Sequence, residues 1–109
     1  MQLNRQKFST ELAGTRFYFA ERTFTEIESL NIEEKQALEA TDWNAVKTIH
    51  INFVHKAMLD AGENVTVDDL KNSMGTTTFN NLFNAILAAQ SLKMDSKTTS
   101  GERKPSQTS

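Results

Sequence analysis

VHKAMLDAGENVTVDDLKNSMGTTTFNNLFNAILAAQSL, residues 54–92, is the stretch of this chain that decides its fold. It reads in order as the end of a long helix, a turn at Gly62, a short helix after Thr66, a break at Gly75 and a final helix. Thr66 and Asp69 have the spacing of a capping box, in which each side chain accepts a hydrogen bond from the backbone N–H of the other residue. Glycine after a helix takes the left-handed conformation that ends it. The segment therefore predicts three consecutive helices joined by short turns.

Apolar residues that recur every three or four positions predict that the two longer helices each bury one face. The final helix is predicted to begin within residues 76–78 and to end near Leu92. Its core face holds Phe79, Leu82, Phe83, Ile86 and Leu87. The preceding long helix is predicted to begin with Thr41 or Asp42 as its N-cap and to end near Ala61. Its core face holds Trp43, Val46, Ile49, Phe53, Ala57 and Met58.

Two further helices are predicted in the N-terminal half of the chain. Asn31, followed three residues later by Glu34, has the pattern of an N-cap and predicts a helix that ends near Ala40. A short helix is also predicted before Gly14, because apolar residues there have near-helical spacing. These residues are Leu3, Phe8 and Leu12.

Residues 15–28 are rich in aromatic and β-branched side chains, which favour extended structure. The pattern predicts strands at 15–20 and 23–27 with a bend at Ala20–Arg22. In the first strand, Phe17 and Phe19 share one face and Tyr18 lies on the other. These rings either cover the core or remain partly exposed as a docking surface. The candidate partner-binding residues are Phe17, Tyr18, Phe19 and Phe24.

Composition sets the limits on domain organisation and location. A chain of 109 residues is one ordinary domain, which is predicted at 1–92. Residues 93–109 are polar and have too few apolar side chains to bury, so they are predicted to form a flexible tail. The predicted class is mainly α (α+β): about four helices, a short N-terminal β-hairpin and a disordered C-terminal tail. A net charge of −2 does not favour nucleic-acid binding. No apolar run approaches the roughly 20 residues of a membrane span, and no secretory signal is recognised, so we expect a cytoplasmic protein.

The titratable residues do not form a recognisable catalytic or metal-binding motif. His50 and His55 lie five residues apart and point about 140° away from each other on a helix, so they do not form the i, i+4 pair that shares a metal. The acidic pairs Glu33–Glu34 and Asp68–Asp69 fall in predicted first turns, where the helix dipole accounts for them. We therefore expect no catalysis and no cofactor, and interpret the chain as an interaction protein.

Several segments together suggest a family. They are Leu3-Asn4-Arg5-Gln6-Lys7-Phe8, Glu33-Glu34-Lys35, Ala57-Met58-Leu59-Asp60-Ala61-Gly62, Val65-Thr66-Val67-Asp68-Asp69-Leu70, and the helix with Phe79, Leu82, Phe83 and Ile86. In this order and spacing, the chain resembles the tail assembly chaperones of long-tailed bacteriophages.

The resemblance implies a protein that acts in the bacterial host cytoplasm and is absent from the finished virion. It implies that the partners are the tape measure protein and the tail tube protein, bound during tail morphogenesis. The alternatives are a structural minor tail or connector component, and a small helical regulator such as an antitoxin or a DNA-binding protein. The oligomeric state is left open at this point.

Overall fold

The computed structural model of the protein describes residues 4–95, and the side chains of residues 4–90. Two strands are followed by four helices, as in the predicted class. The elements are β1 (Lys7–Leu12), β2 (Thr15–Ala20), α1 (Phe24–Glu39), α2 (Trp43–Asp60), α3 (Val67–Asn72) and α4 (Thr76–Asp95). The final helix thus continues past its predicted end at Leu92, and the rest of the predicted tail lies outside the described residues.

The hairpin forms earlier in the chain than the sequence pattern predicted. β1 and β2 pair antiparallel, with Leu12 opposite Thr15 across a two-residue loop. Ala13 and Gly14 both have positive φ, 52° and 79°, as the favoured two-residue hairpin turn requires. The predicted helix before Gly14 is therefore wrong. The half-buried residues of β1 alternate with exposed ones, which is the period of a strand.

The second predicted strand, at 23–27, is instead the first turn of α1. Thr23 and Glu26 form a capping box: the Thr23 N–H donates to Glu26 Oε1 at 2.8 Å, and the Glu26 N–H donates to Thr23 Oγ1 at 3.2 Å. This local pairing prevails over the strand propensity of Phe24 and Thr25. Asn31, the predicted N-cap, is an exposed residue inside α1, so that prediction is also wrong.

The predicted boundaries of α2 and the predicted start of α3 are confirmed. Asp42 caps α2 by accepting from the Ala45 N–H at 3.1 Å, and Gly62 follows the helix with a φ of 90°. Thr66 and Asp69 form the predicted capping box, which begins α3. Local signals therefore determine the helix boundaries in this half of the chain.

The core is formed where β2, α2, α3 and α4 meet. Its buried members are Phe19, Val54, Ala57, Met58, Leu70, Leu82 and Ile86. Trp43, predicted to face the core, is 61% exposed because the core packs against the second half of α2. Leu87, also predicted to face the core, is only partly buried.

Candidate protein-binding surface

The four predicted partner-binding aromatics are divided between the core and the surface. Phe19 is 2% exposed and belongs to the core, and Phe17 packs against that core. Tyr18 lies on the opposite face of β2, as strand alternation requires, and is 46% exposed. Phe24 is 82% exposed. Only Tyr18 and Phe24 are therefore available to a partner in this conformation.

Phe24 stands at a firmly fixed position. It is the first residue of α1 and directly follows Thr23, whose capping box holds the first turn. Farther along α1, Ile32 and Leu38 are also exposed, whereas Leu30 and Ala37 are buried. Apolar side chains thus occupy two sides of α1, and one of these sides is buried within the protein.

A cluster of charges anchors the start of α1 to the rest of the domain. The Arg22 side chain is 1% exposed, and its Nη2 donates to Asp60 Oδ2 at 2.7 Å. Its Nη1 donates to Glu26 Oε2 at 3.4 Å and its Nε donates to the Ala20 carbonyl at 3.3 Å. These contacts join the end of β2, the first turn of α1 and the last residue of α2.

Arg5 adds the N-terminal segment to this cluster. Its Nη1 donates to Glu26 Oε1 at 2.6 Å and to the Glu21 carbonyl at 3.3 Å. The hydrogen bond to Glu26 raises the pKa of Arg5. Burial acts to raise the pKa of Glu26, but hydrogen bonds from Arg5 and the Thr23 N–H, with the nearby Arg22 charge, lower the pKa below its usual value. These contacts favour the ionised forms of Arg5 and Glu26, and they fix the first turn of α1, which carries Phe24.

The two histidines make separate contacts between elements. The His50 ring stacks on Phe83 with the centroids 4.3 Å apart, and its Nε2 contacts the Glu34 carboxylate. His55 Nε2 lies 2.7 Å from the Val65 carbonyl oxygen. Within the described part of the chain, no group of three or more His, Cys, Asp or Glu residues is placed to hold a metal ion.

An apolar groove of about 480 Å³ lies between β1 and α4. It is lined by Gln6, Phe8, Ser9, Thr10, Phe19, Ala85, Ala88 and Ala89. The sequence reasoning missed this groove, because its existence depends on how a strand and a helix distant in sequence pack together. The only local signal is the group of small residues at 85, 88 and 89 in α4.

No family model, curated protein or solved structure matches the chain. The similarity to tail assembly chaperones stays a prediction from the residues quoted above. Across residues 4–95, no helix is both long enough and apolar enough to cross a membrane.

Proposed function

We propose that this chain is a tail assembly chaperone of a long-tailed bacteriophage. It acts in the host cytoplasm, binds the tape measure and tail tube proteins while the tail is built, and catalyses no reaction. The observation that carries the proposal is the exposure of Phe24, which is 82% accessible although it stands on a capped and anchored helix start. Burying one such side chain against a client contributes about 1.5–3 kcal/mol.

The client surface consists of Phe24 and Ile32 on α1, with Tyr18 on β2 as a third contact. Phe24 and Ile32 lie eight residues apart, a little over two helical turns and about 80° apart around the helix axis. Glu28 is exposed one turn from each of them, so a client helix that contacts both places a polar or basic residue against this carboxylate. Binding proceeds by mass action: covering the client's apolar surface lowers the concentration of the form that aggregates.

Co-expression with the neighbouring tape measure and tail tube genes tests the proposal. The wild-type chain is expected to raise the soluble yield of a client and to co-purify with it. The double variant Phe24→Ser/Ile32→Ser is expected to lose both effects while its melting temperature stays near that of the wild type, since both side chains are exposed. Trp43→Ser is the matched control, because it removes an exposed aromatic from α2 and leaves α1 intact.

Two results contradict the proposal. Unchanged client solubility and no co-purification with the wild-type chain contradict client binding itself. Equal losses in the double variant and in Trp43→Ser contradict the assignment of the surface to α1. Mass spectrometry of purified virions separates a chaperone, which is absent from the particle, from a structural tail component, which is present in stoichiometric amounts.

A further inference from the structure

The outer edge of β1 carries backbone groups that have no partner strand within residues 4–95. In the described residues the sheet has two strands, so β1 has β2 on one side only. The Glu21 N–H donates to the Gln6 carbonyl at 2.8 Å, and Leu12 pairs with Thr15 at the loop. Hydrogen-bonded positions alternate along an antiparallel strand. The N–H and C=O groups of Lys7, Ser9 and Glu11 therefore point away from β2.

Side-chain charges along this edge are arranged asymmetrically. Glu11 is paired with Arg16 of β2, with Oε1 and Nη2 3.2 Å apart, and Arg16 Nη1 donates to Ser9 Oγ at 3.0 Å. Lys7, near the other end of the same exposed face, has no ion-pair partner among the residues whose side chains are described. A strand added at this edge would form favourable charge pairs if it placed an acidic residue opposite Lys7 and a basic residue opposite Glu11.

A second copy of β1 supplies both residues in a single register. If two β1 strands run antiparallel with Ser9 opposite Ser9, then Lys7 of each copy lies opposite Glu11 of the other. Arg16, Glu11 and Lys7 of the second copy then form a row of alternating charge across the sheet. Directly opposed opposite charges stabilise a strand pair, and like charges destabilise it. Registers centred on Lys7 or on Glu11 place like charges opposite each other and are disfavoured.

We propose that the free protein self-associates through β1, which forms a four-stranded antiparallel sheet from two copies. The three edge residues of each strand exchange backbone hydrogen bonds with the other strand, and open edges are known sites of such pairing. In the same register, Thr10 of the second copy lies opposite Phe8, which lines the groove together with Ala85, Ala88 and Ala89.

The proposal does not depend on the proposed function, because none of these residues belongs to the client surface. It is tested on the purified full chain alone by sedimentation velocity. A strand-mediated interface is small, so association is expected to be weak and visible between about 10 μM and about 1 mM. Over that range the weight-average mass is expected to rise from 12.3 kDa toward twice that value.

Charge-reversal variants identify the surface. Lys7→Glu and Glu11→Lys are each expected to remain monomeric, because every edge pair then brings like charges together. An equimolar mixture of the two variants is expected to associate, since one carries two glutamates on the edge and the other carries two lysines. Lys47→Glu is the control, because it makes the same charge change at an exposed position on α2 and is expected to associate like the wild type.

Three results overturn the proposal. The first is a wild-type mass that stays at one copy at every concentration. The second is association of either single variant that equals the wild type. The third is a mixture of the two variants that stays monomeric while circular dichroism shows that both are folded. Restored association in the mixture is the result that a purely structural role for Lys7 and Glu11 would not produce.

Discussion

At the scale of single residues, the buried guanidinium of Arg22 links three elements of the fold. Its side chain is 1% exposed, and its nitrogens donate to Asp60, Glu26 and the Ala20 carbonyl. A buried charge is tolerated only when it is paired and hydrogen-bonded, so these three acceptors are needed together. Arg16 of β2 makes an exposed ion pair with Glu11 and can be compared with the buried Arg22.

Replacing Arg22 by methionine is expected to destabilise the protein by about 1–3 kcal/mol, because Glu26 and Asp60 each lose a hydrogen bond from a charged donor. Arg16→Met removes an arginine of the same length from the surface and is expected to cost less than about 1 kcal/mol. Urea denaturation followed by circular dichroism measures both. Equal losses in the two variants would contradict the central role of the Arg22 cluster.

Glu26 gives the fold a dependence on acid pH. The pKa of Glu26 is lowered in the folded chain, so the unfolded chain binds a proton more readily as the pH falls. The resulting stability is fully present above the unfolded pKa, about 4.5, and is lost as the pH falls through the folded pKa. Glu26→Gln is expected to reduce the free energy of unfolding by about 1–3 kcal/mol at pH 7. It is also expected to flatten the loss of stability that the wild type shows as the pH falls below about 4.5.

Denaturation curves measured between about pH 6 and about pH 3 check this expectation. Glu28→Gln, an exposed position on the same helix, controls for the removal of one negative charge. A wild-type protein and a Glu26→Gln variant with parallel pH profiles would contradict the account of this carboxylate.

At the scale of elements, α1 begins earlier in the structure than the sequence pattern predicted. The capping box of Thr23 and Glu26 has the same geometry as that of Thr66 and Asp69, which begins α3. The sequence reasoning identified the second capping box and missed the first, because the aromatic residues around position 23 favoured a strand. Asn31 was predicted as the cap and lies inside the helix.

Two alanine substitutions distinguish these starting points for α1. Thr23→Ala is expected to destabilise the protein by about 0.5–2 kcal/mol, because the first turn loses its side-chain acceptor. Asn31→Ala is expected to be neutral or stabilising by a few tenths of a kcal/mol, about the difference in helix propensity at an exposed interior position. Thermal denaturation compares the two. A larger loss for Asn31→Ala than for Thr23→Ala would support the sequence-based start instead.

The C-terminal ends of α1 and α2 use the same hydrogen-bond motif with different residues. After α1, the Asp42 N–H donates to the Ala37 carbonyl and the Thr41 N–H donates to the Leu38 carbonyl. After α2, the Glu63 and Gly62 N–H groups donate to the carbonyls of Met58 and Leu59 in the same pattern. This is the Schellman motif, whose left-handed position favours glycine. Thr41 occupies it with a φ of 50°, an uncommon value for a β-branched residue.

Exchanging the residue types at these two positions is expected to shift stability in opposite directions. Thr41→Gly is expected to stabilise the protein by about 1 kcal/mol because it removes the left-handed strain, and Gly62→Thr is expected to destabilise it by about 1–2 kcal/mol. The space around Gly62 is open, so backbone conformation rather than a clash decides the second effect. Differential scanning calorimetry checks both signs, and a loss of stability in Thr41→Gly would contradict this reasoning.

At the scale of the whole molecule, the sequence predicted the helical half well because its signals are local. Asp42, Gly62 and Thr66 each act on their immediate neighbours, and all three are where the pattern placed them. The position of the hairpin was missed because Ala13 is not a typical turn residue, although its φ is positive. The sequence also did not predict which of the candidate partner-binding aromatics are buried, because the covered face of β2 depends on the packing of α2.

The candidate surface therefore rests on one residue that the sequence predicted, Phe24, and on its exposure, which the structure provides. Phe24 was selected from the sequence, and its exposure beside the ion pairs of the buried Arg22 is seen only in the folded chain. Self-association through β1 would give one assembly two such surfaces, which raises the effective concentration of the second for a client that reaches both. Client binding and self-association involve different residues, and different variants test them.

Hydrogen exchange of the purified chain, measured by mass spectrometry with and without the tape measure protein, tests client binding at α1 most directly. The account predicts slower exchange in peptides that cover residues 24–39, and loss of that protection in the Phe24→Ser/Ile32→Ser variant. Exchange that is unchanged in α1 when the tape measure protein is present in excess would contradict it.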